Sequence, residues 1–444
     1  MKMGMTKKDS PPPKLSAQEL QLIEQLRGQP LLLERFQGIL AITAQADGPM
    51  KSADEVEGLL IEETRRLGNA TMESWAARAE QRVAEQLEQK DASAGVRKKK
   101  TLQWWCVFGV VSVTERVWRT AQENYLRLLP KAIGVSPRGR SLRLERALTD
   151  FGCEHSFAHA ASRVKEHYGF EIGVSAVREA TLEHAQRAER KLEKQYQEPF
   201  RILPAVGAEQ VIAEADGTMI CTVAPGKRKG KRPREWKEMR LTAAQAQGKA
   251  ETVYAATFGS VQEVGRRWGH CARQAGWGLN SQIHALGDGA EWIQLQTREV
   301  FGIQGTFLCD FFHVSEYLGA AAASCRGHAP DRWRRTQQDR LKRGALENVI
   351  EALAEHLEPE GTPEADAPVR NGHRYLTNRT GCLDYPRALK LDLPIGSGMI
   401  ESGHRHVLQA RLKKAGTAWL ADHANRIANL RVLRANGQWS SLWN

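Results

Sequence analysis

From residue 205 onward the chain stops repeating at helical spacing and begins to alternate, and this limits the fold more than any other feature. EQVIAEADGTMICTV (209–223) reads as a buried-type strand, and EWKEMRLTAAQAQ (235–247) and ETVYAATFG (251–259) read as two more. An amphipathic helix follows over about 260–276. QIHALGDGAEWI (282–293) then reads as strand, glycine turn and helix start, and GTFLCDFFHVSEYL (305–318) as a strand running into a helix. Three strands in a meander followed by strands alternating with helices imply one mixed sheet with its parallel strands covered by helices. The expected class is α/β.

The rest of the chain is read around this block. Residues 1–95 carry apolar positions at helical spacing after an irregular start, and read as a helical packing or dimerisation module, or else a DNA-binding one. VRKKK (96–100) closes this helical region, and within residues 96–200 TLQWWCVFGVVSVTERVWRT (101–120) follows it as a hairpin pattern. Two helices then meet at a short glycine-containing break, in the manner of a helix-turn-helix. In that pattern the second helix, with Arg178 and Arg187, reads DNA. Residues 318–393 are helical in pattern and interrupt the sheet pattern (205–317) before the last helices, 394–444.

Composition narrows the partner. The 444 residues carry a formal charge of +12, which makes a polyanion the first partner to consider. Seven cysteines lie scattered without a CxxC pair, which argues against structural zinc and disulfides and fits a reducing cytosol. No apolar run reaches the roughly 18 residues of a membrane span, so no membrane partner is expected. The loop Lys227, Arg228, Lys229, Lys231, Arg232 and Arg234 is dense enough in cations to contact a DNA backbone.

Three acids stand out by position. Asp216 lies in the first strand, in AEADGTMI, where a carboxylate is costly unless paired or metal-bound. Asp288 follows Gly287 where the fourth strand ends, and functional groups collect at such carboxyl ends. Glu401 heads the last helix in PIGSGMIESGHRHVLQARLKK (394–414), after a possible cap at Ser397 and four residues before Arg405. His404, Arg405, His406, Arg411, Lys413 and Lys414 give that helix a basic flank suited to phosphates. Each acid also has a purely structural reading: a DG turn for Asp216, a helix cap for Asp288, helix electrostatics for Glu401. Together they suit Mg²⁺-assisted phosphodiester chemistry, in which two ions roughly 3.5–4 Å apart serve the attacking and leaving oxygens.

The succession EADGTMI, GDGAEWI, DFFHVSEYL, PIGSGMIES and RLKKAGTAWL resembles bacterial insertion-sequence transposases of the DDE class, the ISKra-type group in particular. The resemblance spans about 100–440 and is strong over 205–440. It implies an RNase H-like five-stranded mixed sheet with a helical insertion, and catalytic, metal-binding Asp216, Asp288 and Glu401. It also implies two Mg²⁺ or Mn²⁺ ions, and cutting and joining of DNA at terminal inverted repeats and a target, by a dimer or larger assembly on the bacterial nucleoid. Asp310 and His313 match that group's D-x-x-H motif, and a second-shell or DNA-end role is expected of them. The stretch that is cysteine-rich in relatives has no cysteine here, so zinc is not expected. The alternatives are a catalytically silent DNA-binding derivative and a structure-specific nuclease on the same fold.

Overall fold

The computed structural model describes residues 15–44, 50–123, 125–226 and 233–443. It divides into two compact units, residues 1–151 with 157–177, and residues 152–156 with 178–444.

The first unit begins with three helices, α1 (Ala17–Arg27), α2 (Pro30–Thr43) and α3 (Ala53–Lys90). Capping boxes start two of them: Ser16 and Glu19, and Ser52 and Glu55, each satisfy the other's backbone amide. A three-stranded sheet follows: β1 (Gly95–Cys106), β2 (Gly109–Arg119) and β3 (Leu126–Arg127), in the order β1-β2-β3. β1 and β2 form an antiparallel hairpin closing at Cys106 and Gly109. Alternate residues of the hairpin (Leu102, Trp104, Val111, Val113) face Ala76 of α3 and form the core. The strand starts earlier than the pattern suggested, so VRKKK belongs to β1 and does not close the helical region.

A short helix α4 (Leu129–Ala132) leads to α5 (Leu142–Glu154), α6 (Phe157–Tyr168) and α7 (Val174–Gln197). The two helices expected around the glycine-containing break are α6 and α7. Arg178 and Arg187 are exposed on α7, and the Arg187 guanidinium lies 3.1 Å from His184 Nδ1.

The second unit holds a five-stranded mixed sheet with helices. Its strands are β4 (Gln210–Val223), β5 (Arg234–Ala246), β6 (Val253–Thr257), β7 (Gln282–Gly287) and β8 (Gly305–Cys309), in the order β6-β5-β4-β7-β8. The first three are antiparallel, and β7 and β8 run parallel to β4. Helices α8 (Val261–Gln274) and α9 (Glu291–Phe301) make the crossovers, and α10 (Phe311–Cys325) leads away from β8. The basic loop Lys227–Arg232 lies outside the described residues, while Arg234 begins β5.

Helices α11 (Pro330–Lys342), α12 (Leu346–Ala354), α13 (Pro368–Thr377) and α14 (Tyr385–Lys390) fill the expected insertion. α10 runs unbroken through residue 318, and one core joins Leu286 of β7 and Leu308 of β8 to Val314, Leu341, Val349 and Leu376. The insertion is therefore packed onto the end of the sheet as one body with it. The chain then returns through α15 (Gly398–Gly403), a π-helical turn His404–Gln409, α16 (Ala410–Leu412) and α17 (Ala421–Ala435). No helix among the described residues is long and apolar enough to cross a membrane, and all seven cysteines are buried without a disulfide.

Candidate functional site

Strand register places the aspartates. β4 pairs with β7 up to Glu214 opposite Leu286, and Asp216 and Asp288 each lie two residues beyond that last pair. β7 pairs with β8 up to Gly287 opposite Cys309, and the Asp310 amide donates to Gly287 O at 2.8 Å. Asp216 thus lies within β4, while Asp288 and Asp310 directly follow the ends of β7 and β8, the next two strands of the sheet. Neighbours in a sheet are about 4.8 Å apart, which separates Asp310 from Asp216 by roughly 10 Å. Asp216 is not in a turn, since β4 runs on past it, paired with Leu241 of β5.

The three carboxylates differ in what already fills them. Asp216 is partly exposed, and its Oδ1 accepts from the Gly217 amide at 2.7 Å. Asp288 is half-buried and its Oδ1 accepts from the Ala290 amide at 2.9 Å; it is not the cap of α9, which begins at Glu291. Asp310 is buried and fully engaged. Its Oδ1 accepts from the amides of Phe312 (2.6 Å) and His313 (3.1 Å), capping α10, and its Oδ2 accepts from the Ser397 amide at 2.7 Å and from the Ser397 hydroxyl. Ser397 therefore spends its hydroxyl on Asp310 and does not cap α15. Nor does Asp310 orient the His313 ring: it binds that residue's backbone, while the imidazole lies 3.5 Å from Glu316 and edge-on to Tyr317 and Tyr375.

The segment that carries Glu401 is fastened to the sheet and to the start of α10 at four points. His284 of β7 donates from Nε2 to Pro394 O at 2.7 Å, and the Phe311 amide donates to Ile395 O at 2.8 Å. Asp310 holds Ser397, and the Ile400 amide donates to Glu214 Oε2 at 2.7 Å. Gly403 lets α15 lie close on β5 and β6, since a Cβ there would come within 2.6 Å of the Tyr254 ring and 2.9 Å of Leu241. Glu401 stands exposed in the first turn. One turn later the buried His404 brings Nε2 to 3.1 Å from Asp216 Oδ2, too poorly aligned for a hydrogen bond. Among the described residues neither ring nitrogen of His404 has a hydrogen-bond partner.

Glu214 is the residue that sequence reasoning passed over. It is two residues from Asp216 and so shares its face of β4, a spacing that AEADG displays. It is 1% exposed. Burial is the main cause that pushes its carboxyl up to about 8; Asp310 and Glu401 nearby add to this, while the Ile400 amide works against it. Tyr375 and Arg379 were also missed, because nothing local in sequence marks them. From α13 and its end they hold the Asp288 loop by its backbone: Tyr375 Oη donates to Asp288 O at 2.7 Å and Arg379 Nε to Gly289 O at 2.8 Å. Gly289 is at φ +82°, and a Cβ there would come within 2.6 Å of Tyr375 Oη.

The basic flank is smaller than expected. Arg411 is buried, with Nε donating to Gly152 O at 3.0 Å and its guanidinium over Trp419, and Lys414 reaches Glu154 O. Arg405, His406 and Lys413 remain exposed, and among the described residues no ion pair joins Arg405 to Glu401.

Asp216, Asp288 and Glu401 supply the oxygen ligands a hard divalent cation prefers. As arranged they do not fit one: among the described residues no three His, Cys, Asp or Glu side chains converge closely enough to hold a metal ion. What the site does supply is a field of carboxylates on one face, with one buried imidazole facing Asp216. A phosphate chain approaches such a surface only with added positive charge.

No curated protein matches the chain. Residues 275–441, which include Asp288, Asp310 and Glu401 and stop short of β4, match UPF0236, an uncharacterised protein family.

Proposed function

We propose that the chain is a DNA transposase with an RNase H-like core, cutting and joining phosphodiesters at the ends of a mobile element with Asp216, Asp288 and Glu401. The single observation that carries this reading is that Asp216 on β4 and Asp288 just past the end of the adjacent parallel strand β7 each lie two residues beyond the last pair of those strands, with the Glu401 helix tied to β4 through Glu214. The strand order β6-β5-β4-β7-β8 supports the RNase H-like assignment. A requirement for Mg²⁺ or Mn²⁺, two ions, belongs to the reading, as do DNA ends and target as substrates, a dimer or larger end-bound assembly, and a bacterial cytoplasm. Because the side chains do not converge on an ion, no step is derived through one.

The same lack of convergence favours a second reading, a chain that binds DNA without cutting it. One experiment separates the two. A labelled duplex carrying the inverted repeat found beside the coding region is incubated with the protein in Mg²⁺ or Mn²⁺. Cleavage and strand transfer are expected, lost in Asp216→Asn, Asp288→Asn and Glu401→Gln and lost on chelation, with DNA binding retained. Binding without cleavage by the unaltered chain under every condition would establish the silent reading.

A further inference from the structure

The first unit carries a concentration of positive charge that the acid site does not use. Residues Gly95 to Thr101 of β1 are all exposed, and four consecutive ones are cations: Arg97, Lys98, Lys99 and Lys100. β1 is an edge strand, and segment 138–141 covers that edge beginning at Gln103. Lysines on an edge strand are a common guard against unwanted pairing, so their presence alone decides nothing. Their arrangement does. The register slips between Val96 and Lys98, a bulge that re-aims Arg97. Lys98 and Lys100, two apart, already share a face. All three turn toward the exposed ring of Tyr125: Lys100 Nζ lies 5.1 Å from its centroid, Lys98 Nζ 5.3 Å and the Arg97 guanidinium 6.0 Å.

Guard residues gain nothing by converging, and three like charges around one ring repel. The neighbouring strands show how this chain neutralises cations it does not need. Arg127 is paired with the buried Glu115, and Arg116 lies 3.3 Å from Glu80. Among the described residues no carboxylate pairs with Lys98, Lys99 or Lys100. A hydrogen bond from Lys100, with the nearby charges of Lys100, Lys98 and Arg127, lowers the Tyr125 hydroxyl below its ordinary value.

We propose that the basic half of β1, braced by Tyr125, is a docking surface for the sugar–phosphate backbone of duplex DNA. A strand advances about 3.4 Å per residue, and each strand of B-DNA presents one phosphate per roughly 3.4 Å of axis. Lys98 and Lys100 therefore stand about 6.8 Å apart along the strand, a fixed array of cations suited to the regularly spaced charges of a duplex and not to a fluid anionic membrane. The ring faces are taken by cations, so Tyr125 is a spacer for charge and not a platform for unpaired bases. The surface stands whether or not the acid site cuts DNA.

The test is titration of a fluorescent 25-base-pair duplex of random sequence with the full chain from 50 to 200 mM NaCl. Each phosphate contact contributes about −0.9 to the slope of log K against log salt. Combined Lys98→Gln, Lys99→Gln and Lys100→Gln should make that slope shallower by about 2 to 3 and weaken binding about tenfold or more at 100 mM. The same three positions changed to arginine should keep the slope. Tyr125→Ala should weaken binding with little change in slope. The titration reads binding alone, with no cleavage step, which separates this surface from the acid site. An unchanged slope in the glutamine variant overturns the proposal. So does a loss confined to anionic vesicles or to single-stranded RNA, with duplex binding intact. Circular dichroism on the exposed-residue variants should match the unaltered protein.

Discussion

Glu214 Oε2 and the backbone amide of Ile400 meet at 2.7 Å, which ties the central strand of the sheet to the helix that carries Glu401. The bond needs an acceptor but not a charge. Burial pushes the Glu214 carboxyl up to about 8, so near neutral pH the protonated form prevails and glutamine is a close mimic. Glu214→Gln should fold normally. Glu214→Ala should leave the Ile400 amide without its acceptor and cost about 1–3 kcal/mol.

The same pair gives a pH signature. The folded carboxyl titrates near 8 and the unfolded one near its ordinary 4.5. Between these values the folded state binds more protons, so this group's contribution to stability falls as pH rises through the window. Thermal melts of the unaltered protein and of Glu214→Gln at pH 5, 7 and 9 should show the variant gaining relative stability with pH. A constant difference would mean that Glu214 is charged throughout.

His284 has the opposite sign. Burial lowers its pKa, against the hydrogen bond to Pro394 O. The folded state then binds fewer protons than the unfolded one below the ordinary histidine value of about 6.5, and stability is lost as pH falls through it. His270 and His423 are lowered for the same main reason, burial, and add to the loss. His284→Gln should flatten the fall in melting temperature between pH 7 and 5; a slope as steep as the parent's would remove this histidine from the account.

Asp310 is argued to hold structure. Asp310→Asn keeps one acceptor oxygen where four donors are now served, and should cost about 1–3 kcal/mol. That is a drop of roughly 3–10 °C for a unit of this size. Below its melting temperature the variant should still cleave a pre-nicked end, while Asp288→Asn should not. Cleavage lost in Asp310→Asn at full stability, and kept in Asp288→Asn, would exchange their roles.

What was legible in the sequence follows from what is local. β4 through α10 could be read because strand and helix periods change over a few residues, and Asp216 and Asp288 stood out as charges at strand positions. Glu401 drew notice as an acid in a glycine-flanked first turn. Glu214 sat in the same quoted strand, yet its importance depends on the Ile400 amide 186 residues away in sequence. The basic flank was overread because periodicity does not tell which cation turns inward, and Arg411 does. VRKKK read as the close of the helical region because exposed lysines obscure a strand whose apolar alternation starts only at Leu102.

The Asp288 loop offers the sharpest test of the helical insertion. Two restraints act on it. One is local, the turn in which the Ala290 amide donates to Asp288 Oδ1 at 2.9 Å. The other comes from the insertion, where Tyr375 Oη and Arg379 Nε hold the carbonyls of Asp288 and Gly289, and the Arg379 guanidinium lies 4.1 Å from the Tyr375 ring centroid. The positive φ of Gly289 lets the carbonyl pair be held from one side. If the insertion sets the loop, Tyr375→Phe, which removes one donor worth about 0.5–1.5 kcal/mol, should speed exchange of the Ala290 amide severalfold. Arg379→Ala should do more, since it takes away a donor and its stacking on the ring. Exchange elsewhere in β7 should stay as it is. Unchanged exchange at Ala290 in both variants would show that the turn alone shapes the loop and that the insertion plays no part in placing Asp288.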